Sequence, residues 1–395
     1  MIELGSTPPE LAWPLALMLA WVAGEVIHRR IQLPRISMYA IVGFALAPTQ
    51  LGLLPPAAQG SVLFLANVSL GLILFEAGHR FNLRWMRVNA WLAVSSATEA
   101  GLAFVLVYGV AVAFGTAGTA ALLLAALSMA TSPATILRVV NEQRSSGQVT
   151  ERILHLSVMN CVLAVFVFKI VVGMTVFRTS GRLGEAIYSS LFVLAASAAL
   201  GAVFGLLMPA LLRRFHRTRQ DSTLAFTLAV ILLVSIAHGL KQSPVLATLT
   251  FGLLARHRRI SMGPSERGFG ALGDLMSLLL FVFVASTLER DKVLAGALLG
   301  LALIGIRLVA KVVGVSIYSR VSGISWRKGL LTGLALTPIS AFVILVLEQT
   351  RHIGIDLVDQ LSPLAAAALT LEIIGPVVTL YALRWAHETQ DSEGH

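Results

Sequence analysis

Charge is scarce in this chain. Of its 395 residues only 13% are Asp, Glu, Lys or Arg, while 56% are hydrophobic. A soluble protein carries roughly a quarter charged residues, so most of this chain never faces water. Cysteine is nearly absent as well. A single Cys161 excludes an internal disulfide, and no His/Cys spacing resembles a zinc site. The opening stretch, MIELGSTPPELAW, has no basic region ahead of its apolar run and is not read as a cleaved signal peptide. Nor is there a nucleophile–base or metal constellation, so neither an enzyme nor a cofactor or metal is expected.

What the chain does have is apolar sequence in runs of roughly 18 to 28 residues, where about 20 suffice to cross a bilayer as a helix. Backbone groups in lipid must be satisfied within their own segment, so the runs are expected to be helical. The expectation is an all-α membrane protein of about thirteen transmembrane helices, at 11–28, 34–49, 61–79, 87–114, 118–141, 149–177, 185–213, 220–238, 243–257, 270–288, 293–319, 328–349 and 361–385.

The net charge of +10 resides in the loops between these runs rather than on an aromatic-studded basic face, which argues against nucleic acid. With the N-terminus outside, 21 of the 30 Lys and Arg fall in cytoplasmic segments. Only six (Arg178, Arg182, Lys241, Arg290, Lys292 and Arg351) fall on the other face, and Lys169, Arg307 and Lys311 lie inside helices. That bias places the protein in the cell (inner) membrane with its C-terminus cytoplasmic. Residues 1–395 read as one transmembrane domain, with 386–395 a short cytoplasmic tail. A regulatory nucleotide-binding domain would have to be a separate subunit.

Two spans are interrupted near their middles. LSMATSPATIL places Thr131, Ser132 and Pro133 inside the fifth helix, and LALTPISAFVI places Thr337, Pro338 and Ser340 inside the twelfth. Proline removes a backbone donor and frees carbonyls that must find partners. Paired broken helices in matching positions mark the midplane site of a transporter, and half-helix ends carry partial charges suited to an ion path. On this reading 87–177 and 293–385 form inverted repeats. A proline kink with no function is the plain alternative for either break taken alone.

Ionisable groups inside spans are functional candidates. Arg307 and Lys311 are four apart on one face of the eleventh helix. They require an anion or water opposite them, or else form a fixed ion pair that braces two helices. Glu99, in the fourth helix, is a candidate counter-charge for either. Glu372, in the thirteenth, is either a site residue or a protonated carboxyl bonding two helices. Glu76 lies near the cytoplasmic end of the third helix, and its alternative is an interfacial role. Asp274 reads as a helix-start cap, Lys169 as a snorkelling side chain, and Glu25 and His28 as interfacial.

Several stretches, taken in order, carry a resemblance. They are RIQLPRISMYAIVGFALAP, GLILFEAGHRFNLRWMR, ATSPATILRVVNEQRSSGQVTERILHLSVMN, HGLKQSPVLATLTFGLLA and AKVVGVSIYSRVSGISWRKGLLTGLALTPISAFVILVLE. Through them the chain resembles the monovalent cation/proton antiporter superfamily over nearly its whole length. The resemblance implies a core of two repeats with crossing broken helices, moving against a dimerisation domain formed by 11–79 and 220–288. It also implies a homodimer exchanging protons for a monovalent cation.

In that family an Asp-Asp or Asn-Asp pair on the sixth helix binds the ion. Here the matching positions hold Asn160 and Cys161, and the aspartate is missing. A relocated carboxylate is therefore expected, with Glu76, Glu99 and Glu372 the candidates. Arg307 or Lys311 retains the basic position, and Thr131, Ser132, Asn160, Thr337 and Ser340 offer neutral oxygens. Two further readings stand beside Na⁺ or K⁺/proton antiport. One is proton-linked transport of another solute, such as an organic anion drawn to Arg307 and Lys311. The other is a membrane sensor that kept the fold and lost transport.

Overall fold

The computed structural model describes residues 9–55, 60–180, 183–214, 219–257, 269–345 and 361–390, and the described residues are helical almost throughout. The first helices are α1 (Pro9–Ile31), α2 (Arg35–Leu46), α3 (Gly60–Arg80), the short α4 (Leu83–Val88) and α5 (Ala90–Ala113). Next come α6 (Gly118–Ser128), α7 (Pro133–Glu142), α8 (Gln148–Ser180), α9 (Leu183–Arg214), α10 (Arg219–Gly239), α11 (Pro244–His257) and α12 (Gly270–Ser286). The chain continues with the short α13 (Arg290–Ala295), then α14 (Ala297–Ile317), α15 (Trp326–Ala335), a helical stretch over 341–345, and α16 (Ser362–Trp385).

Eight described segments are long and apolar enough to cross a membrane, and α2, α12 and 223–239 of α10 are shorter apolar helices. The protein is an integral, multi-pass, all-helical membrane protein. The last part of the expected helix 328–349 lies outside the described residues, as do Arg182, Arg217, Arg258, Arg259, Arg267 and Arg351.

Both interruptions expected from sequence are present. Residues 129–132 separate α6 from α7, and 336–340 separate α15 from 341–345. Pro133 occupies the first turn of α7, where its missing N–H costs nothing. Ser132 caps that turn, its hydroxyl accepting from Thr135 N at 3.2 Å. Two expected helices are each divided. The 87–114 run becomes α4 and α5, with the Asn82 side chain capping α4, and the 293–319 run becomes α13 and α14, parted at Gly296. A short helix, a span, a broken helix and a long helix thus occur in the same order twice, as α4–α8 and as α13–α16.

Two apolar clusters organise the bundle. One joins α3, α9, α10 and α11 around Phe75, Phe226, Phe251 and Phe269, whose rings pack on Phe75 with centroids 4.6 to 5.8 Å apart. The other gathers α5 to α8 and α14 to α16, together with α1, α2 and α12. The broken helix α6–α7 is enclosed on nearly every side.

The sequence assigned the residues after Arg384 to a polar tail. In the structure Glu388 is buried, with its carboxylate bonded to Val149 N (3.0 Å), Thr150 N (2.8 Å) and Thr150 Oγ1 (2.9 Å) at the start of α8. A carboxylate at a helix N-terminus meets unpaired N–H groups and the positive end of the dipole, which accounts for the docking.

Candidate ion site at the helix crossover

The two breaks touch: Ser132 N donates to Pro338 O at 3.1 Å. Breaking α6 and α15 leaves their last carbonyls without helical partners, and Arg307 collects them. Its Nε donates to Ser128 O (2.8 Å), Nη1 to Thr337 O (2.5 Å), and Nη2 to Ala130 O (2.7 Å) and Pro338 O (3.3 Å). A guanidinium suits this place because its planar fork carries several donors and its charge opposes the negative ends of two half-helices.

Lys311 lies one turn further along the same face of α14. Helices α5 and α14 run antiparallel. Trp91 and Thr98 meet Tyr318, by ring stacking at 6.0 Å and a 3.3 Å hydroxyl bond, while Glu99 meets Gly314 and Lys311. Glu99 Oε2 accepts from Lys311 Nζ at 2.9 Å, and both side chains are fully buried. The second oxygen of Glu99 accepts from Asn160 Nδ2.

Asn160 is held on all sides. Its Oδ1 accepts from Ser96 Oγ at 2.8 Å and its Nδ2 also reaches Thr131 Oγ1 at 3.2 Å. Lys311 Nζ has a second acceptor, Met129 O at 3.3 Å, in the first break. The cluster therefore joins α5, α8, α14 and the first break around one carboxylate, with Glu99, Asn160, Thr131, Ser96 and Lys311 all sealed from solvent.

Of the three candidate carboxylates, one is here. Glu76 belongs to a separate network near the basic end of α3. It bonds Arg80 at 2.9 Å and Asn141 Nδ2 at 3.3 Å, while Arg80 also reaches Asn141 Oδ1 at 2.5 Å. Glu372 is buried on α16, and among the described residues neither of its oxygens has a hydrogen-bond partner, so the helix-to-helix bond expected for it is not found there. Cys161 is fully buried beside Ser340, turned from Asn160 by its one-residue step along α8.

Asp274 is no cap. Phe269 occupies that position in α12, and Asp274 pairs with Arg138 at 2.5 Å. Glu25 bonds Arg29 and Arg35, and His28 meets Glu142 at 2.9 Å. Lys169 is half-buried in α8.

Sequence reasoning missed Ser96, which fixes the Asn160 amide, and the carbonyl of Met129. A usable signal was present for the first. Ser96 precedes Glu99 by three residues and so shares its helix face. No side-chain pattern could mark a backbone carbonyl.

A cavity of about 1580 Å³ opens at the end of the bundle where the basic loops lie, with Arg35, Arg80, Arg138, Glu142 and Asp274 among its lining. It lies between α1, α2, α7 and α12, and the buried pair does not line it. Chemically, the cluster offers one anionic carboxylate together with amide, hydroxyl and carbonyl oxygens. Hard cations prefer that donor set, and an ammonium already occupies it.

In sequence, no curated protein matches the chain. In structure it is similar to the sodium proton antiporter MjNhaP1 from Methanocaldococcus jannaschii. The similarity to the structure at pH 8 has a TM-score of 0.66 at 16% identity, and that to a second structure, from an electron-microscopy map, 0.69 at 17%. Each comparison covers 95% of both chains, and at such identity it establishes the fold. The family described as sodium/hydrogen exchanger, transmembrane, matches residues 15–383, and the chain belongs to that family.

Proposed function

We propose that this protein exchanges a monovalent cation, Na⁺ or K⁺, for protons by alternating access, with Glu99 as the carboxylate that pairs in turn with the ion and with the protonated Lys311. The observation that carries the proposal is the buried Glu99–Lys311 pair, held against Asn160 and Thr131 at the crossover. In an apolar interior an unpaired charge is costly, so one carboxylate neutralises one cation at a time. That cation is either the Lys311 ammonium or an alkali ion held by Glu99, Asn160 and Thr131 oxygens.

Arrival of the ion displaces the ammonium. Lys311, left without a counter-charge, then releases its proton. Return of the proton to Lys311 restores the pair and expels the ion. Each occupant excludes the other, and mutual exclusion at a site that faces one side at a time is exchange. Glu99 thereby takes the place of the aspartate that Cys161 replaces.

Arg307 holds the two breaks together and does not itself meet the ion. All three of its nitrogens donate to backbone carbonyls, and Lys311 is engaged by Glu99, which leaves neither cation free for an anionic solute. This disfavours organic-anion transport.

The repeats are assigned to 87–177 and 293–385, and the dimerisation helices to 11–79 and 220–288. We propose a homodimer in the cell membrane with the N-terminus outside. On that orientation the 1580 Å³ cavity is the cytoplasmic approach.

The test is proton flux in proteoliposomes containing a pH dye, challenged with Na⁺, K⁺ and Li⁺. Cation-dependent flux in the wild type, lost in Glu99→Gln and retained in Glu76→Gln, is expected. Folded protein with no flux for any ion would overturn the proposal in favour of a sensor.

A further inference from the structure

Glu372 is 2% exposed, and neither of its carboxyl oxygens has a hydrogen-bond partner among the described residues. It stands in the buried stripe of α16 with Ala368, Gly375 and Thr379, residues three and four apart on one helix face. That stripe faces the second break. Thr379 Oγ1 donates to Ala335 O at 3.0 Å, and a Cβ on Gly375 would lie 2.9 Å from Pro338 Cα. These two contacts set α16 antiparallel to the α15 segment, so Glu372, one turn on, comes level with Ser340 and Ala341. The Ser340 hydroxyl is also buried, and it lies beside the thiol of Cys161, the neighbour of Asn160.

Among the described residues, no charged group on the elements packed against α16 compensates it. Arg35 and Glu142 pair with each other, and Arg138 pairs with Asp274. Arg307 and Lys311 are engaged at the crossover. From α15, Arg327 reaches Trp385 O and Lys328 reaches Gln148 and Glu388. On α13, Lys292 pairs with Glu289, and Arg290 and Asp291 are exposed. An ionised carboxylate with neither hydrogen bonds nor a counter-ion is among the costliest groups to bury, whereas the neutral acid is tolerated. The side chain is therefore a carboxylic acid in this conformation.

We infer that Glu372 is a second proton site of the transport core, on the α16 side of the crossover, which releases its proton to water on one side and regains one from the other in each cycle. The inference rests on the proposed exchange. It adds a charge count to it. Exchange at Glu99–Lys311 alone moves one cation against one proton and no net charge. A second proton on Glu372 moves one positive charge in the proton direction, so flux becomes sensitive to membrane potential.

The experiment imposes a potassium–valinomycin potential on proteoliposomes and reads Na⁺-driven proton flux. A potential negative on the side that receives protons is expected to speed the wild type severalfold. Glu372→Gln is expected to lose that response, and Glu372→Asp to keep it. A wild-type flux indifferent to potential, or a Glu372→Gln response equal to the wild type's, overturns the inference while leaving the exchange intact.

A second readout does not depend on transport. In pH-difference infrared spectra of the protein in lipid, a titrating carboxylic-acid carbonyl band is expected in the wild type and Glu99→Gln and absent in Glu372→Gln. A spectrum unchanged by Glu372→Gln refutes the assignment. Loss of flux in Glu99→Gln with the band retained separates the two sites.

Discussion

Gly314 lies so close to Glu99 that a Cβ at that position would come 2.5 Å from the Glu99 Cα. The missing side chain lets α5 and α14 approach until Lys311 Nζ reaches Glu99 Oε2. Small residues at close helix contacts serve this purpose throughout membrane bundles. Gly314→Ala forces the helices apart at the ion pair itself. The expected cost is about 1–3 kcal/mol, the usual range for overpacking, read as a lower unfolding temperature in detergent. Exchange is expected to fall more than for Gly305→Ala, where a Cβ meets nothing within 4 Å.

The Glu99–Lys311 pair predicts a non-additive double mutant. Glu99→Gln alone strands an ammonium in a fully buried place, and breaking such a pair costs about 3–5 kcal/mol. Glu99→Gln combined with Lys311→Met removes both charges. It is expected to recover most of that stability and none of the exchange. Equal destabilisation of the single and double mutants, by thermal unfolding, would contradict a buried ion pair.

Arg307→Lys keeps the charge and loses the fork. One ammonium cannot reach the four carbonyls that Arg307 now satisfies, and the carbonyls left without donors each cost about 1–3 kcal/mol. The variant is expected to lose several degrees of thermal stability and most of its flux, although the substitution is nominally conservative.

Cys161 is the sole cysteine and is fully buried. A buried thiol behaves as a small apolar group, so Cys161→Ser is expected to retain exchange within about twofold. Water-soluble thiol reagents are expected to leave the folded wild type unlabelled and to label it on unfolding. Rapid labelling of the native protein would place Cys161 on an open water path.

Glu388 closes the start of α8 through two backbone N–H groups and the Thr150 hydroxyl. Glu388→Ala is expected to cost about 1–2 kcal/mol, the worth of a helix cap reinforced by the dipole. Since α8 carries Asn160, a drop in apparent cation affinity at unchanged maximal rate is expected alongside, measured from flux against Na⁺ concentration.

The sequence by itself determined the solvent, the helical class and the short list of candidates. Hydrophobic run length is a local property, and so is the effect of Pro133 or Pro338 on the turn around it. Both breaks could therefore be placed to within a few residues. The expectation of a relocated carboxylate came from the resemblance, which sets Asn160 and Cys161 against the family's acidic pair.

Which candidate carboxylate meets Lys311 was decided only in three dimensions. Glu99 and Lys311 are 212 residues apart, and their meeting depends on the antiparallel register of α5 and α14 and on the bare backbone of Gly314. Glu76 sits in an equally suggestive motif, yet the fold turns it to Arg80 and Asn141. Glu372, like Glu99, is a lone acid within an apolar run. One is ion-paired and the other alone because burial removes water from both, and only packing decides whether a partner takes its place.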